Sequence, residues 1–388
     1  MLNNKVVKEW LKQFDQKDLG LATTFLKCIK LVSNNEFEET ITNLLLDIRK
    51  ETTGKKRIAL FPINDKDKLR AKEEDKRYQF NSADRVGQML TNIERSYKKD
   101  FINSPTIKSM KAERVDNIVL VDDFIGSGKR VHDYCKMSLS STIKSWISFK
   151  YCKIWIVTYS VTEEGLNFIK NKFNYLNENN IKYSLLISKT NFLVNEHLVE
   201  FLENYGFKTF RPPLGYKNIC SNIVFQHGCP NTNPSILWAH SRYWKALFPN
   251  QGVHPEFIEC FGKKSLARES ELLWKINQRK LALKFLESEN LNKLNKGELL
   301  LILILSLIQK GYPYTKIYKL ILEPITIIKG VIDNAEKIGL IKDGVLTVFG
   351  RDLILKSKLL KTNSKKTAPF NKSLIGNYYP IQLNGLQR

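Results

Sequence analysis

The sequence lacks the cysteine pattern of a structural metal site and of a disulfide scaffold. Its six cysteines are scattered through 388 residues, with no Cys-x-x-Cys pair and no cluster of histidines beside them. Structural zinc sites need closely spaced pairs of ligands, and disulfides are typical of secreted chains. We therefore expect free thiols and no metal ion held by the protein.

Long apolar segments are also lacking. The longest apolar run, residues 299–308 (LLLILILSLI), is much shorter than the roughly 20 residues that cross a bilayer. The first residues, MLNNKVVKEWLKQFDQKDLG, contain no apolar core followed by a cleavage site and so predict no signal peptide. Both absences predict a soluble, cytoplasmic protein that makes no contact with a membrane.

Acidic residues are scarce relative to basic ones. Asp and Glu number 39 against 62 Lys and Arg, and residues 261–388 carry more than their share of the basic excess. Basic surfaces favour polyanions because binding releases counterions from phosphates. Lys-rich, Asn-rich chains also arise from nucleotide composition alone, so the charge leaves open whether nucleic acid, DNA or RNA, binds the basic tail.

The spacing of apolar residues divides the chain into three predicted domains. Residues 1–52 have helical periodicity and predict an N-terminal helical cap. Residues 53–260 alternate short apolar runs with amphipathic segments, which predicts parallel strands joined by helical crossovers. The predicted fold class is α/β, with a doubly wound parallel sheet. Its strands are expected at residues 57–63, 118–121, 153–159, 182–187 and 222–226, and its helices at 82–98, 129–137, 163–173 and 196–205.

Residues 261–388 predict a winged-helix domain with a C-terminal tail. One long helix is expected over 265–290, followed by helices at 297–309, 314–322 and 324–341 and a hairpin at 340–349. If the domain binds DNA, the 324–341 helix is the recognition helix, but its exposed face mixes Lys329 and Lys337 with Asp333 and Glu336. Protein docking or dimerisation is the alternative function of this domain.

The candidate site is the segment VDNIVLVDDFIGSGKRV, residues 115–131. Ligands of open α/β sheets bind beyond the carboxyl ends of strands, and small residues at a helix start let backbone amides approach a phosphate. Adjacent carboxylates beside a phosphate are unfavourable unless they bind sugar hydroxyls or a cation. A pentose with a terminal phosphate and free hydroxyls meets both requirements. The residues concerned are the acids Asp122 and Asp123 and the loop residues Gly126, Ser127, Gly128, Lys129 and Arg130.

Two other phosphate-binding motifs are excluded by spacing. A Walker A loop needs Gly at position 123 and a hydroxyl-bearing residue at position 130, where this sequence has Asp123 and Arg130. A dinucleotide-binding fingerprint needs a third Gly where Val131 stands.

The segment resembles the PRPP-binding motif of type I phosphoribosyltransferases: a hydrophobic strand, two acidic residues, two apolar or small residues, then a hydroxyl- and glycine-containing loop. The resemblance implies that Asp122 and Asp123 bind the ribose hydroxyls in the catalytic site, that residues 126–130 hold the 5-phosphate, and that Mg²⁺ is carried by the pyrophosphate of the ligand. Lys129 and Arg130 depart from the family, which usually has a small residue and Thr there. The pyrophosphate loop expected at residues 61–65 shows no suitably placed basic residue, so binding is better supported than turnover.

A second segment, QHGCPNTNPSILW at residues 226–238, brings His227, Asn231 and Asn233 into a Pro-rich turn. Its alternative interpretation is a rigid loop whose Asn side chains bond to their own backbone. Together with the first motif, Trp10, residues 247–249 and residues 378–380, it resembles the phosphoribosyltransferase-like proteins with a C-terminal winged helix in bacterial anti-phage operons. Some of those accompany retron reverse transcriptases.

This resemblance implies a defence effector that acts on nucleotides or nucleic acid and is held in check by operon-encoded partners, such as a reverse transcriptase. His227 and Asn231 then become candidates for contacting the second substrate. Two other functions stay open. One is a non-catalytic, PRPP-sensing transcriptional regulator, similar in principle to the Gram-positive purine repressor, and the other is a scaffold in a reverse transcriptase–nucleic acid complex.

Overall fold

The computed structural model describes residues 1–52, 56–63, 82–137, 139–173, 175–176, 178–187, 196–261, 267–291 and 296–359. They form two compact units. One spans Leu31–Gly262, and the other combines Met1–Lys30 with the described part of Lys263–Arg388. The segment 1–52, predicted as one helical cap, is therefore divided between the two units at Lys30.

The helices and strands are numbered in chain order. Up to residue 261 the helices are α1 (Lys5–Leu11), α2 (Leu19–Lys27), α3 (Asn34–Glu51), α4 (Ser82–Ser96), α5 (Ile107–Ala112), α6 (Lys129–Met137), α7 (Ser141–Ser148), α8 (Glu163–Lys172), α9 (Glu196–Gly206) and α10 (Ser235–Trp238). The strands of this region are β1 (Lys30–Val32), β2 (Ile58–Pro62), β3 (Phe101–Asn103), β4 (Asn117–Ile125), β5 (Lys153–Thr162), β6 (Ile181–Ile187) and β7 (Ile223–Phe225). Short 3-10 helices lie at Gln16–Asp18, Glu178–Asn180, Phe207–Thr209, Tyr216–Asn218, Pro249–Gln251 and Pro255–Cys260.

The main sheet has five parallel strands in the order β3-β2-β4-β5-β6. The chain passes from β2 to the edge strand β3 and then returns to β4 on the opposite side of β2. The direction in which strands are added therefore reverses between β2 and β4, and ligands of open α/β sheets bind beyond the strand ends at such a point. The predicted α/β fold with a parallel sheet is confirmed.

Helices cover both faces of this sheet. Ile118 and Leu120 of β4 belong to a buried apolar cluster with residues of α5, α6, α7 and α8. Val119 and Val121 are also buried and alternate with them, so they face the other side, where α3 and α4 pack against the strands. β4 is thus buried on both faces, which explains its continuous apolar sequence.

Two short strands were not predicted from the sequence. β3 is only three residues long, and β1 lies in a region predicted to be helical. The predicted strand at 222–226 does form as β7, but it pairs with β1 in a separate two-stranded sheet instead of extending the main one. The amide of Gln226 donates to the carbonyl of Val32 at 2.8 Å, so the loop after β7 is fixed to the residues before α3.

The prediction of one long helix over 265–290 is wrong. The chain forms α11 (Ala267–Lys275) and α12 (Arg279–Leu291), separated by a turn in which Asn277 adopts a left-handed backbone with φ 59°. The amide of Gln278 donates to the carbonyl of Leu273 at 2.8 Å, a bond that ends α11. Apolar periodicity continues through the break because both helices bury residues in the same core, and the sequence pattern therefore concealed it.

The remaining C-terminal elements follow the predicted order, although the helix predicted at 324–341 and the hairpin predicted at 340–349 are both shorter and the last helix was not predicted. They are α13 (Lys296–Gln309), α14 (Tyr314–Leu320), α15 (Ile325–Lys337), and a hairpin of β8 (Ile341–Lys342) and β9 (Val345–Leu346). Asp343 and Gly344 both have positive φ, as the predicted two-residue turn requires. A further helix, α16 (Val348–Leu359), follows. Among the described residues, the structure contains no helix with the length and apolarity needed to span a bilayer.

Candidate active site

Asp122 and Asp123 lie within β4, and both are buried. Their side chains keep only 2% and 9% of their accessible surface. Each carboxylate accepts a hydrogen bond from the next backbone amide, Asp123 N–H to Asp122 Oδ1 at 3.0 Å and Phe124 N–H to Asp123 Oδ1 at 2.8 Å. The acidic pair is therefore fixed by the backbone at the carboxyl end of the central strand.

Arg130, in the first turn of α6, bridges the two carboxylates. Its Nε lies 3.1 Å from Asp122 Oδ2, and its Nη2 contacts Asp122 Oδ1 and lies 3.1 Å from Asp123 Oδ1. The same Nη2 lies 3.3 Å from the carbonyl oxygen of Phe124. Buried carboxylates without a counter-charge are strongly unfavourable. The guanidinium therefore explains how two adjacent acids can lie side by side inside the protein.

His227 joins this cluster from a distant part of the chain. Its Nε2 lies 3.1 Å from Asp123 Oδ2, and its side chain is 8% exposed. The imidazole stacks on Phe225, with ring centroids 5.1 Å apart, and contacts Phe37 at 5.2 Å. Nδ1 is buried and has no hydrogen-bond partner among the described residues. A carboxylate can only accept, so neutral His227 carries its proton on Nε2 and presents Nδ1 as an acceptor.

The two carboxyl groups differ in their affinity for protons. Burial raises the pKa of Asp122 well above its ordinary range, although the charge of Arg130 opposes this. Burial acts in the same direction on Asp123, but the hydrogen bond from His227 and the charge of Arg130 together lower the pKa of Asp123 below that of a free carboxyl. Environments that separate the pKa values of neighbouring acids are typical of sites that bind or transfer protons.

The turn after the acidic pair is packed tightly against α8. Gly128 has φ 73°, a left-handed backbone that favours glycine. The carbonyl of Gly126 accepts a hydrogen bond from the hydroxyl of Thr162 at 2.5 Å, and that hydroxyl accepts one from the amide of Gly165 at 3.0 Å. A Cβ atom on Gly165 would lie 2.2 Å from the carbonyl oxygen of Gly126, so glycine is needed for this close approach.

The loop at residues 226–238 packs directly on this turn. A Cβ atom on Gly126 would lie 2.9 Å from Cγ2 of Thr232. Asn233 is buried, and its side-chain amide donates to the carbonyls of Ile223 at 2.7 Å and Pro230 at 3.1 Å. The predicted bonding of a loop Asn to nearby backbone is therefore confirmed for Asn233, and it stabilises the loop that carries His227.

A comparison with family models identifies this architecture. Residues 7–250, well over half of the chain, match the model of the PRTase-CE family. The chain belongs to the PRTase-CE family. The resemblance to phosphoribosyltransferase-like proteins is thereby confirmed. The search of curated proteins found no match.

The PRTase-CE match includes β4, α6 and the loop at 226–238, and therefore every member of the charged cluster. Of the predicted site residues, the structure brings together Asp122, Asp123, Arg130 and His227. Lys129 and Asn231 are exposed, and the carbonyl of Asn231 accepts a hydrogen bond from the amide of Tyr216. Residues 64 and 65 of the predicted pyrophosphate loop lie outside the described residues.

Sequence reasoning in this PRTase-CE chain missed the partner of Arg130. The sequence suggested a phosphate, whereas the guanidinium bonds to the carboxylates seven and eight residues before it. When a strand, a tight turn and a helix follow one another, the first turn of the helix lies back over the end of the strand. The spacing of seven and eight residues therefore already indicated that Arg130 could contact the two acids. The aromatic contacts of His227 with Phe37 and Phe225 had no comparable signal, since Phe37 is far away in the sequence.

Proposed function

We propose that this PRTase-CE protein binds PRPP, or a related nucleotide with a ribose 5-phosphate, at the carboxyl end of β4. The observation that carries the proposal is the buried pair Asp122–Asp123 directly before a glycine turn that opens α6. Ribose hydroxyls can donate to adjacent carboxylates, and the start of a helix favours a phosphate because its amides and dipole attract anions.

Binding of a ribose requires Arg130 to move. Its guanidinium contacts the same carboxylate oxygens that the hydroxyls need. A 5-phosphate held by residues 126–130 would offer Arg130 a new bidentate partner. Arg130 is 28% exposed, so its side chain can exchange partners without leaving a closed core. We expect His227 to keep its bond to Asp123, and we propose His227 and Asn231 as the residues that lie against the second substrate.

The PRPP resemblance implies Mg²⁺, and the residues present do not favour an ion held by the protein itself. The oxygens of Asp122 and Asp123 already bond to Arg130 and His227. In the part of the chain that the structure describes, no group of three or more His, Cys, Asp and Glu is placed to hold a metal. We propose that Mg²⁺ reaches this site only with a pyrophosphate-bearing ligand.

The biological role that we propose is that of a phosphoribosyltransferase-like effector in a bacterial anti-phage system, of which a retron is one type. It would act on nucleotides or nucleic acid and would be restrained by operon partners such as a reverse transcriptase. The resemblance noted from the sequence supports this role. The order of α13, α14, α15 and the β8–β9 hairpin supports a winged helix as the domain that contacts DNA or protein.

A non-catalytic PRPP sensor is the second candidate function, and the Arg130 bridge favours it. Without a ligand, Arg130 bonds to the two carboxylates and balances their charge. With a ligand bound, Arg130 would bond to the phosphate and the carboxylates would bond to the ribose hydroxyls. A ligand that selects between two such states can shift a conformational equilibrium without turnover.

The test uses purified wild type and the Asp122→Asn/Asp123→Asn variant, with Asp116→Asn as the control. Asp116 precedes β4 and pairs with Lys56 at the surface, away from the turn. We expect wild type and Asp116→Asn to bind PRPP in a calorimetric titration and the double variant to lose binding.

An active enzyme is supported if wild type releases pyrophosphate and if nucleotide pools change in phage-challenged cells only when both acids are present. Binding with neither effect would support the sensor. If wild type binds neither PRPP nor ribose 5-phosphate, the proposal is wrong.

A further inference from the structure

Two loops of the Leu31–Gly262 unit carry exposed aromatic rings that play no part in the proposed ribose site. Phe207 and Phe210 are each 67% exposed, and Tyr243 is 58% exposed. Large aromatic rings are usually buried because removing them from water is favourable. The rings of Phe210 and Tyr243 lie 5.9 Å apart with their planes tilted by 53°, so neither covers the face of the other.

The loops that carry these rings are held rigidly side by side. The hydroxyl of Ser241 donates to the carbonyl of Lys208 at 2.6 Å and accepts from the amide of Tyr243 at 3.1 Å. Beneath them Trp244 is fully buried, with its ring 5.9 Å from that of Tyr205. The exposed rings are therefore presented by a fixed frame and not by a flexible chain.

The backbone at Phe210 is unfavourable for the residue that stands there. Phe210 has φ 55°, in the left-handed region where a Cβ atom crowds the following carbonyl. Gly or Asn would fit this position better, and an exposed Phe gains little burial in return. This left-handed residue ends the 3-10 helix Phe207–Thr209, and the turn directs an apolar ring into solvent.

The same loops are strongly basic. Residues 206–218 and 239–245 contain no acidic residue, and the nearest acid in the sequence is Glu203 in α9. The guanidinium of Arg242 lies over one face of the Tyr243 ring, 4.5 Å from its centroid, and so places a cation directly at the exposed rings. All the basic residues of these segments are exposed, namely Lys208, Arg211, Lys217, Arg242 and Lys245.

We propose that this surface, defined by Phe207, Phe210, Arg211, Arg242 and Tyr243 and called here the aromatic patch, binds single-stranded nucleic acid. Exposed rings with basic side chains beside them bind single strands because bases stack on the rings while the cations contact phosphates. A duplex offers phosphates but covers the faces of its bases, and an acidic protein offers charge without planar bases. The aromatic patch is therefore a site for unpaired nucleotides.

Fluorescence anisotropy of a labelled oligothymidylate of about 20 nucleotides, longer than the site of one stacking domain, tests the proposal with the full chain. The variant Phe210→Ala/Tyr243→Ala should bind at least about 25-fold more weakly, since losing each base stack costs at least a factor of about five. Arg211→Gln/Arg242→Gln should reduce the slope of log affinity against log salt by about 1.4. Oligouridylate should bind within a few-fold of oligothymidylate, because stacking does not read the 2′-hydroxyl.

The matched control is Phe149→Ala/Tyr151→Ala. These two rings are 67% and 72% exposed, with centroids 6.0 Å apart and planes 29° apart, and they lie outside the aromatic patch. The control variant should bind like wild type. Thermal unfolding of every variant checks that the exposed substitutions leave the fold intact.

Three results would overturn the proposal. The first is that wild type does not bind the oligonucleotide at low salt. The second is that the aromatic-patch and control variants lose equal affinity for it. The third is that a duplex binds as tightly as the single strand, whether or not Phe210 and Tyr243 are present.

Discussion

The Nε2 atom of His227 lies 3.1 Å from Oδ2 of Asp123, although 104 residues separate the two in sequence. This contact joins the loop after β7 to the carboxyl end of β4. It brings the histidine loop and the acidic segment, which the sequence singled out separately, into one cluster. Since the loop is also held by Asn233, we expect the contact to depend on the folded loop as a whole.

His227→Ala should lower the free energy of unfolding by about 1–3 kcal/mol, because Asp123 would lose a hydrogen-bond donor while remaining buried. Urea denaturation at neutral pH measures the change. His240→Ala, at an exposed position, serves as the control and should stay within about 0.5 kcal/mol of wild type. Equal effects of the two substitutions would contradict a structural link through His227.

Asp123→Asn should weaken the acid sensitivity of the fold. The pKa of Asp123 is lowered by folding, so in acid the unfolded chain binds a proton that the folded chain does not. Its stabilising contribution is therefore present above the unfolded pKa of about 3.9 and is lost as the pH falls below it.

A plot of unfolding free energy against pH, from about 5 to 3, should be flatter for Asp123→Asn than for wild type. The pH dependence of stability that Asp122 contributes has the opposite sign. Folding raises its pKa, so its contribution to stability is lost as the pH rises through that raised value. An unchanged slope in Asp123→Asn would contradict the ionised state assigned to Asp123.

Arg130→Met should destabilise the fold by about 3 kcal/mol, since removing one partner of a buried charge cluster leaves the others uncompensated. Combining it with Asp122→Asn should recover part of that loss, because one of the two uncompensated acids is then neutral. Urea denaturation of the wild type, both single variants and the double variant gives a coupling energy, which we expect to exceed about 1 kcal/mol. Strictly additive effects would show that the Arg130–Asp122 contact contributes nothing.

Gly165→Ala should destabilise the protein by about 1–3 kcal/mol, because its Cβ atom has no room beside the carbonyl of Gly126. Gly330→Ala is the matched control, since it is also a helical glycine but has no atom within 4 Å of the added methyl. It should be neutral or stabilising by up to about 1 kcal/mol. Both can be compared by thermal unfolding, and similar behaviour of the two variants would argue against a tightly packed turn.

The strand, turn and helix around the acidic pair could be predicted from the sequence because they depend on local signals. The apolar run before Asp122, the glycines after it and the amphipathic helix 129–137 each specify one element. The break at Asn277 was missed because the apolar period of the two helices continues across it. β3 was missed because three residues are too few to show a period.

The partners of the charged side chains could not be predicted in the same way. Sequence places Arg130 near a turn, but whether it bonds to a phosphate or to carboxylates depends on burial, which makes neutralisation of Asp122 and Asp123 favourable. The approach of His227 to Asp123 depends on the pairing of β7 with β1 and on the packing of the loop at 226–238. Such contacts between distant segments leave no periodic signal.

Calorimetric titration with ribose 5-phosphate and with 2-deoxyribose 5-phosphate tests most directly whether the two carboxylates bind sugar hydroxyls. We expect wild type to prefer the ribose compound by about tenfold or more, because the deoxy compound lacks one hydrogen bond to a charged acceptor. We also expect Asp122→Asn/Asp123→Asn to lose this preference. Equal binding of both sugars by wild type, or a preference that survives in the double variant, would contradict this role of the carboxylates.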